Sequence, residues 1–192
     1  MTLERPAKDE YDSYYGLYID QAPDGEVLDG MSREAERTRE LLADVSGAAE
    51  TYRYAEGKWS LREVVGHLID TEWTFAYRGL CFAREDPAHL PGFDQDHWAR
   101  ISNAEEIPLP RLLETFVRAR QSSVAIFRTF DDRTWLRRGI ANGLEFSVRA
   151  MPYILWGHEL HHRKVLERLY LQGSASEPEA SDLRDLGPVE AA

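Results

Sequence analysis

The stretch Gly157-His158-Glu159-Leu160-His161-His162-Arg163 places three imidazoles within five residues of an otherwise apolar, helix-like segment. Imidazole is the commonest neutral metal ligand, so coordination is the first chemistry this stretch suggests. Residues four apart on a helix stand one turn above each other, and His158 and His162 can therefore aim two ring nitrogens at one ion. His161 and His162 diverge by about 100°. Spacing alone leaves His158 and His161 as a rival pair. The helical wheel separates them: Met151, Ile154, Leu155, Val165, Leu166 and Leu169 define one apolar stripe, His158 and His162 fall near its middle, and His161 falls toward its edge beside Arg168. A lone histidine on an apolar face is usually a hydrogen-bonded core residue. Two of them one turn apart would strand buried polar groups unless they share a partner, and one ion satisfies both.

A third ligand must come from another helix. The start of that helix is marked by Trp59-Ser60-Leu61-Arg62-Glu63-Val64, where Ser60 can cap the Glu63 amide, Glu63 can reach back to Ser60, and Trp59 and Val64 occupy the staple positions. The helix runs from 61 to about 84 with the stripe Leu61, Val64, Val65, Leu68, Phe75 and Phe82. His67 lies on its flank and is the natural third ligand. Glu72 lies close to the stripe's centre, where a carboxylate needs a partner, and a structural ion pair is the simplest one. Asp70 falls on the polar side. One histidine from this helix and a pair from the last would leave positions open for water or substrate, as in a catalytic rather than a closed structural site.

The other elements follow from periodicity. Residues 1–25 carry Tyr11, Tyr14, Tyr15 and Tyr18 and end at Pro23-Asp24-Gly25, which predicts a short helix closed by a turn, its tyrosines packed on the domain. Leu28, Met31, Ala35, Thr38, Leu42 and Val45 predict a helix over 28–46. Residues 85–107 hold Pro87, Pro91 and Gly92 and form a long loop, with Phe93, Asp94, Asp96, His97 and Trp98 available to a pocket mouth. His89 and His97 are less constrained there. Pro110 suits the first turn of a helix reaching about 130. Residues 131–146 read as a turn-rich connection, and Ser147 as the cap of a fourth long helix over 148–171. Four such stripes predict an all-α fold, a four-helix bundle, in one domain over 1–171, followed by an acidic, disordered tail over 172–192.

Composition narrows the function. The single cysteine, Cys81, rules out an intrachain disulfide and a cysteine-rich zinc site, and reads as a buried structural thiol. A net charge of −11 argues against a nucleic-acid partner. No apolar run reaches the roughly 20 residues of a membrane span, and the N-terminus lacks a signal pattern, so a soluble, cytoplasmic protein is expected.

Three groups of residues together resemble the DinB-like proteins of the YfiT type: Lys58-Trp59-Ser60 through Gly66-His67-Leu68-Ile69-Asp70-Thr71-Glu72; Leu90-Pro91-Gly92-Phe93-Asp94; and Ser147-Val148-Arg149 through Gly157-His158-Glu159-Leu160-His161-His162. The resemblance covers about residues 5–171. It implies an up-up-down-down bundle, a homodimer, and one divalent ion held by His67, His158 and His162. Related members transfer low-molecular-weight thiols such as bacillithiol or mycothiol, and others are regarded as metal-dependent hydrolases. Three imidazoles plus water accept zinc or nickel, and also iron or manganese. The chain has no convincing nucleophile of its own, so an external thiol or water would attack a small-molecule substrate. A metal-binding, stress-related bundle without turnover, and a bundle whose histidines are purely structural, are the competing readings.

Overall fold

The computed structural model describes residues 3–171. The acidic-tail expectation lies outside them. A 3-10 turn over Ser13–Tyr15 leads into the short helix α1 (Gly16–Ile19), and α2 (Val27–Leu41) follows. α2 is shorter than its periodicity suggests, because residues 42–45 tighten into turns such as Val45 N to Leu42 O at 3.2 Å. The capping box forms as read: Ser60 N donates to Glu63 Oε2 at 2.8 Å and Glu63 N to Ser60 Oγ at 3.3 Å, opening α3 (Leu61–Ala83).

The long loop contains a short helix α4 (Gln95–Ile101), capped by Asp94, and a 3-10 turn over Ala104–Glu106. Then come α5 (Leu109–Phe127), α6 (Asp132–Trp135), strands β1 (Arg138–Ala141) and β2 (Leu144–Ser147), and α7 (Ala150–Val165), which relaxes into a π-helical turn over Leu166–Leu171. The connection read as turns is therefore corrected to a short helix and an antiparallel hairpin. Its turn is Asn142-Gly143, with φ of 53° and 74°. Positive φ at both turn positions matches the strand twist and closes a two-residue hairpin. α7 begins two residues later than expected, yet Ser147 Oγ accepts the Ala150 amide at 3.2 Å, the capping bond expected of it.

α2, α3, α5 and α7 form the bundle, and its directions correct the expected up-up-down-down order. Leu68 packs with Phe116, Glu72 pairs with Arg120, and Gly79 meets Phe127, so successive turns of α3 and α5 match in the same order and the two are parallel. His67 faces His158 while Gly79 faces Met151, so α3 and α7 are antiparallel. Asp29 pairs with Arg128 at one end of α2, and Ala35 packs with Phe116 farther along it, so α2 opposes α5. The order is up-down-down-up. The cause is the 84–108 segment, which carries the chain back the length of α3, about 35 Å, before α5 begins.

The core divides along the bundle axis. One apolar cluster gathers Met31, Phe75, Phe82, Phe127, Phe146, Met151 and Ile154, and another gathers Trp59, Leu61, Val64, Leu109, Leu112, Leu166 and Leu169. Between them lies a belt of buried polar side chains drawn from all four helices: Glu34, Thr38, His67, Glu72, Arg120, His158, Glu159 and His162. No helix of the described residues is long and apolar enough to cross a membrane.

Candidate metal centre

The polar belt is held by one guanidinium. Arg120, 1% exposed, donates to Glu72 Oε2 at 2.9 Å through Nε and to Glu159 Oε2 at 2.6 Å through Nη1. Nη1 also reaches the Met31 carbonyl at 3.1 Å, and Thr38 donates to Glu159 Oε1 at 2.7 Å. Burial works against the Arg120 charge, but Glu72 and Glu159 outweigh it and hold the guanidinium protonated. Burial pushes the Glu159 carboxyl up to about 7, against Arg120 and Thr38. Removing one member of a buried ion pair leaves an uncompensated charge and typically costs about 3–5 kcal/mol, so this network fixes how α2, α3, α5 and α7 sit at this level. Glu72 is thus the structural partner its position on the stripe called for.

Beside that clamp, the structure brings His67, His158 and His162 together. Nε2 of His158 lies 3.1 Å from Nε2 of His67 and 3.0 Å from Nε2 of His162. Thr71 Oγ1 stands 3.4 Å from His67 Nε2. All three rings are buried. Burial pushes His67 down to about 3, and burial together with the neighbouring imidazoles holds His158 and His162 well below the usual histidine range. The rings are therefore neutral, the form that binds metal.

Elementary valence tests whether an ion fits. A neutral ring nitrogen carries either one proton or one lone pair, so Nε2 of His158 makes one good hydrogen bond and not two. The three nitrogens lie within 4.8 Å of one another. Ligand atoms bound at about 2.0–2.1 Å in a tetrahedral shell sit roughly 3.3 Å apart, close to the spacing found. One cation at the centre would answer all three lone pairs. Nδ1 of His162 is buried with no hydrogen-bond partner among the described residues, so that ring lacks the second anchor metal ligands usually have.

His161 is outside that group, its ring centroid 5.2 Å from that of His162 and 5.8 Å from that of Tyr18. His89 and His97 are exposed. Cys81 is buried. Asp70 is half-buried rather than fully solvated, and burial raises its pKa.

His67 and His158 open into a cleft of about 580 Å³. Phe93, Asp94 and Asp96 line it, as expected for the long loop, while His97 and Trp98 do not. Sequence reasoning missed the opposite wall. Tyr14, Tyr15 and Tyr18, read as packing residues, face the cleft, and so does Arg78. The available signal was the spacing of His67, Thr71, Phe75 and Arg78, which share one face of α3. The tyrosines reach the site because α1 lies across α7 at Gly157, where a Cβ would run into the Tyr18 carbonyl.

Comparison with known proteins agrees with this architecture. A protein of Oceanobacillus iheyensis, named as a candidate metal-dependent hydrolase, is 24% identical over 141 residues, covering 71% of this chain and 79% of that protein. YfiT from Bacillus subtilis, described as a candidate metal-dependent hydrolase with an unusual four-helix-bundle topology, superposes with a TM-score of 0.66 at 17% identity, covering 86% of this chain and 91% of that one. At that identity the match speaks for the fold. The family model of the DinB superfamily matches residues 31–166, and the chain belongs to that superfamily.

Proposed function

We propose that this chain holds one divalent ion through His67, His158 and His162 and uses it to activate an external nucleophile against a small-molecule substrate. The observation that supports this reading is the convergence of three buried imidazoles, two of which, His67 and His158, line an open cleft. When bound, the ion supplies a Lewis acid that lowers the pKa of a water or a thiol toward neutrality. Zinc or nickel suits three imidazoles best, with iron or manganese as further occupants.

The chain's own residues hold and enclose the reactants. The Arg120 network keeps α3 and α7 in register, so the three rings need no rearrangement to receive an ion. Tyr14, Tyr15, Tyr18, Phe75 and Phe93 give the cleft apolar walls that displace water from a bound substrate. Asp94 and Asp96 are the carboxylates that line it. Among the described residues no cysteine or serine lines it, and the reading therefore assigns the nucleophile to an external water or thiol.

Two nucleophiles fit. Water would make the protein a hydrolase, the activity named for its relatives. A low-molecular-weight thiol would make it a transferase, and the cleft has volume for a thiol and a small electrophile together. The homodimer and the cytoplasmic location belong to the same proposal. The test is a paired assay on metal-loaded protein and on His158→Ala, with thiol plus electrophile in one arm and esters and amides without thiol in the other. A metal-dependent rate in the first arm alone identifies the transferase, and in the second alone the hydrolase. Equal rates from the two proteins in both arms would reject turnover and leave a metal-binding bundle.

A further inference from the structure

Arg78 departs from the way this molecule treats its other buried arginine, Arg120, and its half-buried ones. Arg120 holds Glu72 and Glu159, Arg149 holds Glu10, Arg62 holds Glu50, and Arg163 holds Glu34. Arg78 is 3% exposed, and no carboxylate pairs with it among the described residues. Its Nη2 donates to the Pro91 carbonyl at 2.9 Å, its guanidinium lies 4.9 Å from the centre of the Phe75 ring, and the Tyr15 hydroxyl is within hydrogen-bonding reach. One carbonyl and one hydroxyl leave most of its five donors available. A buried charge without a counter-charge is costly, and such a charge facing a cleft marks the place where a ligand supplies the missing sign.

The placement relative to the histidines is equally informative. His67, Thr71, Phe75 and Arg78 follow one another on the cleft face of α3, and all four line the cleft. Eleven residues of helix separate the first and last backbone positions by about 16 Å. Long side chains on a helix lean toward its N-terminus, so the guanidinium reaches back toward His67, in keeping with its position over Phe75. The cleft thus has a cationic pole at one place, a three-nitrogen set at another, and aromatic walls between. Asp94 and Asp96 also line it. Asp94 caps α4 by accepting the His97 amide at 2.9 Å, and neither acid pairs with Arg78.

We propose that Arg78 is the substrate-recognition residue of this cleft and that it takes the carboxylate of a substrate with an apolar body. The planar guanidinium presents paired N–H groups that match the two oxygens of a carboxylate. The body lies against Tyr14, Tyr15, Phe75 and Phe93, and the reacting bond is several atoms away, at the histidine set. This inference deepens the proposed function and rests on it for the reaction. Recognition of the anion depends on Arg78 alone.

The experiment measures binding of phenylacetate and of its uncharged analogue phenylacetamide by titration calorimetry to metal-loaded protein and to Arg78→Gln, with metal content determined on both. Wild-type protein is expected to prefer the carboxylate at least ten-fold, and Arg78→Gln to lose that preference while keeping its metal. Arg78→Lys, which retains the charge without the fork, should keep part of it. Absence of a preference in the wild type, or its persistence in Arg78→Gln, would overturn the proposal. Should Arg78→Gln not fold, arginine Nε–H NMR signals of the wild type give the same answer: phenylacetate should shift one of them and phenylacetamide should not, and a null result overturns the assignment. Metal content and the His158→Ala variant report separately on the ion. A protein that carries no metal yet distinguishes the two probes would reject the proposed reaction and keep Arg78 as the anion site.

Discussion

A ring nitrogen has room for one proton or one ligand, and that limit makes the contacts at His158 consequential. Two neighbouring nitrogens at 3.0 and 3.1 Å ask more of its Nε2 than a hydrogen bond can give. Replacing His67, His158 or His162 by Ala should therefore lower bound metal from about one equivalent to below a tenth, whereas His161→Ala, whose ring faces Tyr18, should leave it near one. Elemental analysis of protein purified without a histidine tag reads this directly. A site emptied by His161→Ala alone would refute the assignment. That His158 and His162 share a buried face was legible in the sequence, because helical periodicity fixes which histidines lie one above another and the apolar stripe says which face is buried. His67, on another helix, was a candidate that only the fold brings beside them. Arg78 was not legible. A lone arginine on a helix is ordinarily solvated, and only the fold shows that Pro91, Phe75 and Tyr15 enclose it without a carboxylate.

At the level of elements, the site depends on how closely α1 crosses α7. Gly157 precedes His158, and its missing side chain lets the Tyr18 backbone rest on the helix, with the Tyr18 ring centroid 5.2 Å from that of His158. Gly157→Ala should push α1 outward. Overpacking of this kind typically costs about 1–3 kcal/mol, and here it should also loosen the tyrosine wall of the cleft. Denaturant unfolding of the variant should show a lower midpoint, and tyrosine emission in the native state should change. An unchanged midpoint would mean that α1 does not bear on α7 as described. The capping box at Ser60 and Glu63 was readable because both halves of the motif lie in four residues. The hairpin was not read, although Asn142-Gly143 is a strong turn signal, because its strands are four residues each and too short for alternation to stand out. The tyrosine segment was readable as packing, but its place over the histidines depends on a contact between residues far apart in the chain.

Across the whole molecule, two apolar halves enclose a layer of ionised and neutral polar groups, and the bundle's order decides which groups meet there. The sequence establishes four amphipathic helices. Their directions depend on whether residues 84–108 turn back at once or return along α3, and amphipathicity is blind to that choice. The belt makes a prediction for stability. Three neutral imidazoles with crowded lone pairs are a local cost that an ion removes, and an ion bound by the folded state alone stabilises it by mass action. At about 100 times its dissociation constant the gain is about 2.7 kcal/mol. For a chain of this size each kcal/mol moves the melting temperature by about 2–4 °C, so saturating zinc or nickel should raise it by about 5–10 °C. A chelator should reverse the shift. His158→Ala should show neither the rise nor the reversal, and His161→Ala should show both. Calorimetric melts of the three proteins, with and without metal, make the comparison. An equal rise in His158→Ala would place the stabilising ion elsewhere, and no rise in the wild type would show that the converged histidines bind one another rather than a metal.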